Sequence, residues 1–232
     1  MSGIAFAAAP AGGNLYVELF WKNLTDSSKA PNDVPFGCKV YRSFDGHNFI
    51  HIRTLPAPCT FYRDSSADLE VGKKTYYRVT TFLGDQESPP SNVVSTTPLP
   101  PWDVRLTAPA DDAQNVSNAP TFTWTKTASV GAHQYYAGAL WDTLTGQMAL
   151  FTNPAQLTLV DQTSWTWNQD GAYTGTQWET LQKGRSYEWQ IILAYALDDP
   201  LNPTAVSVAA DGLGFWTLGV ESTDFFTFTT AP

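Results

Sequence analysis

Three aromatic residues in the second half of the chain, Trp178, Phe215 and Trp216, stand outside any alternating apolar pattern. Trp178 lies in a Gly- and Thr-rich stretch between Trp167 and Leu181. Phe215 and Trp216 follow Asp198-Asp199-Pro200, Asp211, Gly212 and Gly214. A ring exposed beside carboxylates has a definite chemistry: its face stacks on a sugar ring while an aspartate accepts hydrogens from the sugar hydroxyls. The competing reading is structural, a long loop that folds back and buries its own aromatics.

The remaining candidates for chemistry are few. Asp111-Asp112, Asp198-Asp199 and Asp211 carry oxygen donors that suit calcium, but their spacing matches no calcium-binding loop, and aspartate pairs in turns ordinarily brace the backbone. The histidines are His47, His51 and His133; the first two share a hairpin, and no Ser or Cys in a recognised nucleophile setting accompanies them. No Gly-x-Ser-x-Gly, phosphate-cradling glycine loop or His-Glu-x-x-His occurs. Paired carboxylates for glycoside hydrolysis need a cleft that raises one pKa, which a β-sandwich seldom offers. The expectation is a chain with no catalytic residue, no metal and no cofactor. Cys38 and Cys59, the only two cysteines, are either a disulfide formed in an oxidising compartment or two small buried apolar groups.

Composition narrows the setting. Aromatics make up 14% of the 232 residues and charged residues 15%, a balance that suits rigid β-structure better than a charge-laced helical bundle. The net charge of −9 is uneven. Residues 1–97 hold nine basic and nine acidic side chains, and residues 98–232 hold four basic and thirteen acidic. That surface repels phosphates and argues against a nucleic-acid partner. No run approaches the roughly 18 apolar residues of a membrane helix. No basic-then-apolar leader precedes Ile4, where a first strand already begins; either a signal has been trimmed, the favoured expectation, or the protein is exported or assembled without one, as a virion component would be.

Strands must position the candidate residues. Tyr187, Trp189, Ile191 and Leu193 alternate with Glu188 and Gln190, a period of two that puts the four large residues on one face. Leu181 and Lys183-Gly184 form the turn before it. Leu69, Gly72 and Tyr77-Arg78-Val79 repeat the arrangement in the first half, and two copies imply two domains. Leu15, Val17, Leu19 and Trp21 alternate on a second strand, Asp45-Gly46 marks a hairpin, and residues 25–35 read as a loop. Trp165 and Trp167 share one strand face. Over residues 135–142 two registers fit, with either Tyr136, Gly138 and Leu140 or Tyr135, Ala137, Ala139 and Trp141 facing inward. Three prolines in Pro98-Leu99-Pro100-Pro101 make a stiff, extended linker, and Trp102 follows at the joint.

Residues 1–97 resemble a bacterial-type fibronectin type III domain. The residues that carry the resemblance are Trp21, Val40-Tyr41-Arg42-Ser43 with Asp45-Gly46, Tyr62-Arg63-Asp64, Leu69 with Gly72, Tyr77-Arg78-Val79 and Glu87-Ser88-Pro89-Pro90-Ser91-Asn92. The family places a Tyr six residues after that Leu, and here the position is Thr75. Either an insertion at Lys73-Lys74 gives the role to Tyr76, or the corner is a threonine. Residues 103–232 resemble the same family or an immunoglobulin-like domain more loosely, through Leu106 to Val116, Pro120 to Trp124, the spacing of Leu181 and Tyr187, and Phe225 to Thr230. The expected organisation is all-β, two tandem antiparallel β-sandwiches: a fibronectin type III-like domain at 1–97, a linker at 98–102, and an enlarged domain at 103–232 with a long loop at 198–221.

The resemblance implies a secreted or cell-surface protein whose domains act as spacers, adhesion units or parts of an array. The expected function is a non-catalytic extracytoplasmic binding, adhesion or assembly module. Its partner is a protein or glycan on a surface, or copies of itself, and Trp178, Phe215 and Trp216 make the contact. The alternatives are a virion or filament subunit joined through sheet edges and the apolar arm Ile4 to Ala9, and the accessory domains of a larger carbohydrate-active enzyme.

Overall fold

Short alternating runs broken by Gly, Pro, Asp and Asn have little choice but to pair with one another. The computed structural model describes residues 3–10, 14–22, 37–128, 130, 133–151, 161–214 and 220–232, and among these every regular element is a strand. The all-β expectation holds. Phe215 and Trp216 lie outside the described residues.

The chain divides into two compact units. Unit 1 comprises Met1–Ala9, Asn14–Pro100 and Asp198–Val206, and unit 2 comprises Pro10–Gly13, Pro101–Leu197 and Ser207–Pro232. The main boundary, at 100/101, falls inside the proline stretch. The stretch read as a long loop, 198–221, differs from that reading: Ala205–Asp211 is a strand, and residues 198–206 belong to unit 1.

In unit 1, β1 (Gly3–Pro10), β2 (Tyr16–Trp21) and β5 (Phe61–Asp64) form one antiparallel sheet. The other contains β3 (Gly37–Ser43), β4 (Ile50–Pro56) and β6 (Thr75–Leu83), with β7 (Gln86–Glu87) and β8 (Val94–Thr96) both on β6. Their inner faces bury Val17, Leu19, Trp21, Val40, Tyr77 and Val79 around the Cys38–Cys59 disulfide. β1 is an ordinary strand of its own unit. Its second edge is also occupied, since the Thr204 carbonyl accepts the Ala7 N–H at 3.0 Å and the Thr96 hydroxyl at 2.6 Å.

A polar group lies in this core. Asp64 is fully buried and accepts from Arg42 Nη1 and from the Tyr77 hydroxyl, each at 2.9 Å, and from Ser66 N at 3.1 Å; the second guanidinium nitrogen of Arg42 reaches Asp68. Burial, reinforced by the Asp64 charge, drives the Tyr77 phenol well above its usual range, so it donates at every pH that matters. The corner residue is Thr75. It is buried and its hydroxyl donates to Lys73 O at 3.3 Å, whereas Tyr76 covers the Gly46 hairpin on the outer face.

In unit 2, β9 (Val104–Ala108), β11 (Thr121–Lys126) and β14 (Ser164–Thr166) form one sheet. The other runs from β13 (Met148–Leu150) through β12 (His133–Asp142) and β15 (Ser186–Leu197) to β17 (Phe226–Thr230), with β10 (Ala113–Val116) parallel to β17. β16 (Ala205–Asp211) lies on β15 beyond the end of β17. The sheets meet through rings: Phe122 lies 4.5 Å from Phe151 and 5.1 Å from Trp189, centroid to centroid. Trp102 is part of this core, packing on Tyr136 and donating its indole N–H to Ser207 O at 3.0 Å. The tyrosine corner is formed as its spacing predicts, with the Tyr187 hydroxyl accepting the Gln182 N–H at 2.9 Å.

One expectation changes. Opposite β12 the register shifts between Ala137 and Gly138, which pair with Leu193 and Ile191 and leave Ile192 unopposed. This bulge turns Leu193 away from Tyr187, Trp189 and Ile191 and into a separate buried cluster with Ala137, Ala139 and Ile192. The two registers over 135–142 resolve by face. Tyr136 and Leu140 fill the inter-sheet core, Gly138 lies under Phe151, and Ala137, Ala139 and Trp141 line the other side.

Two substitutions test these packings. Asp64→Ala strands a buried guanidinium and a phenol, and is expected to cost about 3–5 kcal/mol in urea unfolding with an unchanged m-value. Gly138→Ala places a methyl group 2.2 Å from the Phe151 ring, which Phe122 prevents from retreating; a loss of roughly 1–3 kcal/mol or more is expected in the same measurement.

Candidate functional site

The loop joining β14 to β15 is built rather than slack. Gly171 and Gly175 take φ of 71° and 74°, which a side chain would resist. The Asn168 side chain accepts the Tyr173 N–H at 2.8 Å, the Glu179 carboxylate accepts the Gly175 N–H at 3.0 Å, and the Tyr173 hydroxyl donates to Leu150 O at 2.8 Å. Trp167 stacks on Tyr173 at 5.2 Å and donates its indole N–H to the carbonyl of Trp178 at 2.8 Å. Trp178 is the outermost ring of this column, half-buried, 6.1 Å from Trp167 and 6.5 Å from Tyr187. Of the three residues expected to make contact, the structure describes Trp178, on the loop between β14 and β15 and held by Trp167 and Tyr187. Its two companions, Phe215 and Trp216, lie outside the described residues.

The aspartates are engaged with the backbone. Asp198 accepts from Thr204 N and Ala205 N, each at 2.9 Å, and Asp199 accepts from Leu201 N at 2.8 Å and Asn202 N at 3.1 Å. Asp111 accepts the Thr227 N–H at 2.8 Å, the chief reason its carboxyl is held below the usual range. Among the described residues no three His, Cys, Asp or Glu side chains gather as metal ligands would. His51 meets Thr54 Oγ1 at 3.0 Å and the Tyr41 ring at 5.5 Å; His47 and His133 are exposed.

Sequence reasoning followed the inward-facing residues and missed the outer sheet faces. On unit 2, cross-strand pairing gives the row Met148, Trp141, Glu188, Thr227, and the row Leu150, Ala139, Gln190 beside it. Phe225 sets its ring edge-to-face with Trp141 at 5.7 Å and is 50% exposed. Gln190 is buried in this face, and its side-chain oxygen has no partner. The near-continuous apolar run from Ile191 to Ala196 was the available signal, since a strand buried on one face alone would alternate.

On unit 1, the face of β3, β6 and β7 centres on Glu87, which accepts from Lys39 Nζ at 2.6 Å, Thr80 Oγ1 at 2.6 Å and the Tyr41 hydroxyl at 2.5 Å. Lys39, then Thr80 and Tyr41, hold its carboxyl down at about 2.

The fold can now be compared with solved structures. The FN1-FN3 domains of chicken CNTN1 match with a TM-score of 0.53 at 12% identity, over 98% of this chain and 66% of that one. The chain is a tandem of fibronectin type III-like β-sandwiches. A β-1,2-glucanase from Parabacteroides distasonis matches at 28% identity and a TM-score of 0.31, over 41% of this chain and 12% of the glucanase. An Fn3-like protein from Clostridium thermocellum matches at 25% identity and a TM-score of 0.29, over 39% of this chain and 83% of that one. The chain therefore spans about an eighth of the glucanase and just under two thirds of the CNTN1 segment. No family model and no curated protein matches it.

The Glu87 hub predicts a pH response. A carboxylate whose pKa falls from 4.5 to about 2 on folding stabilises the native state above 4.5, and that contribution fades as pH drops through 2. In thermal melts from pH 7 to pH 2, the gap between the parent chain and Glu87→Gln should close on acidification; a gap of constant size would show that Glu87 is not held as described.

Proposed function

We propose that the protein is a non-catalytic, extracytoplasmic binding module whose second unit meets a protein or glycan on a surface. The contact is made by the end loop carrying Trp178, together with Phe215 and Trp216. The observation that carries this reading is the state of Trp178: half-buried, fixed between Trp167 and Tyr187, on a loop whose turns are closed by its own side chains. A ring already immobilised loses little entropy on binding, and such aromatics commonly dominate recognition. The carboxylate and amide side chains of Glu179, Gln177 and Gln147 lie on the same loop or bonded to it, supplying acceptors and donors beside the ring. The first unit serves chiefly as a spacer.

The alternative in which the N-terminal arm leaves its own domain to join a neighbour meets an obstacle. β1 pairs with β2 along Gly3 to Ala8 and with Thr204 on its other side, so exchange would break both sets of bonds.

The test is binding of the labelled full chain to a glycan array and to immobilised surface proteins. Trp178→Ala and the pair Phe215→Ala with Trp216→Ala should each weaken binding by about 30-fold or more, the loss typical of an aromatic anchor. Circular dichroism melts verify that each variant still folds. Undiminished binding by both folded variants would remove the end loop from the contact.

A further inference from the structure

The outer faces of the two units differ in sign and share an abundance of rings. On unit 1, cross-strand pairing sets Tyr41 beside both His51 and Arg78, and Lys39 beside Thr80. The Arg78 guanidinium lies 4.3 Å from the centre of the Phe49 ring and 5.6 Å from that of Tyr41, and Lys74 Nζ lies 5.3 Å from that of Tyr76. Rings hold these two cations, and among the described residues neither meets a carboxylate within ion-pair distance and the buried Arg78 Nε has no hydrogen-bond partner. Among the described residues Glu87 is the acid at the centre of this face, and Lys39 already engages it at 2.6 Å. The result is a sheet face with two cations held against aromatic rings, a surface suited to carboxylates presented beside aromatics.

Unit 2 carries the complement. Its row Met148, Trp141, Glu188, Thr227 ends at Asp111 and Asp112, which accept from the Thr227 hydroxyl at 3.0 and 2.9 Å. Phe225 and Met148 are 50% and 53% exposed beside Trp141 and Glu188. Among the described residues this row contains three carboxylates and no lysine or arginine. The imbalance of residues 98–232, four basic against thirteen acidic, extends the same sign over the rest of the half.

We infer that the protein associates with itself head to tail, the cation-and-ring face of unit 1 on one copy meeting the Trp141–Glu188–Phe225 face of unit 2 on a second. The inference goes beyond the end-loop reading and does not depend on it. Two unlike surfaces make a heterologous contact, which grows into open chains or rings rather than stopping at a symmetric pair. A contact a few strands wide falls short of a standard interface, so association is weak and salt-sensitive.

Sedimentation velocity of the full chain tests this. At about 50 mM salt the average mass should rise between about 10 μM and 1 mM protein, and at about 0.5 M salt the rise should vanish. Arg78→Glu, or Lys74→Glu should the first fail to fold, disables one face, and Glu188→Lys disables the other. Each alone should remain monomeric. An equimolar mixture of the two should regain mass at low salt, because each copy retains the one face that the other lacks. A parent chain monomeric across the range overturns the inference, as does a mixture no heavier than its components or single variants that still assemble. None of these outcomes reads on ligand capture by the Trp178 loop, which the binding arrays score separately.

Discussion

Phe122 has to touch both sheets of its sandwich at once. It belongs to the smaller sheet and is wholly buried, yet its ring meets Phe151, Trp189 and Phe228 from the larger sheet's side and Trp167 from its own. Two sheets packed face to face stand about 10 Å apart, and this single ring spans much of that gap. The rest of unit 2 follows from it. Gly138 is required because Phe151 occupies the space where a Cβ would sit. Trp167 passes the stack on to Tyr173 and Trp178, so the outermost ring of the end loop is positioned by the centre of the core. Aromatic pairs contribute about 0.5–1.5 kcal/mol each beyond the area they bury, and here they are chained.

Unit 1 organises the same architecture around charge. Where unit 2 has a tyrosine hydroxyl closing its corner, unit 1 has a threonine, and the fixed point moves inward to Asp64 with Arg42 and Tyr77. Buried ion pairs contribute little net stability against apolar replacements, but they tolerate few alternative arrangements. The disulfide constrains the same region from Cys38 on β3 to Cys59 just before β5. One unit is thus specified by ring packing and the other by a buried polar centre and a covalent tie.

Much of this was legible before any coordinates. Alternation at Leu15 to Trp21 and from Tyr187 to Ile191 gave the strands and the direction of their side chains, because burying one face imposes a period of two. It failed where both faces are covered: from Ile191 to Ala196 every side chain is apolar, so the pattern contains nothing to signal the bulge at Ile192 or the departure of Leu193 to the other side. Trp178 was legible as a loop aromatic, but its depth was not, since that depends on Trp167 and Tyr187 converging from elements far apart in sequence. The outer faces stayed hidden for a similar reason. Arg78, Tyr41 and Phe49 become neighbours only through strand pairing, and the bare composition of residues 1–97 reads as neutral. The strand in 198–221 was obscured by Asp198-Asp199-Pro200, a strong turn signal that diverts attention from Ala205 to Ala210, whose small residues form a buried strand.

That last segment gives the molecule an unusual order of manufacture. Unit 1 draws residues 198–206 from beyond most of unit 2 in the chain, and Thr204 supplies the carbonyl that secures β1 and Thr96. During synthesis the first sandwich must therefore wait, one flank open, until residues 198–206 have left the ribosome behind the strands of unit 2. Domains strung like beads mature one after another, each finished before its successor emerges. Here the unit that precedes in the chain is completed by a later arrival, and its bare strand edge stands exposed to misplaced partners while residues 101–197 are being made.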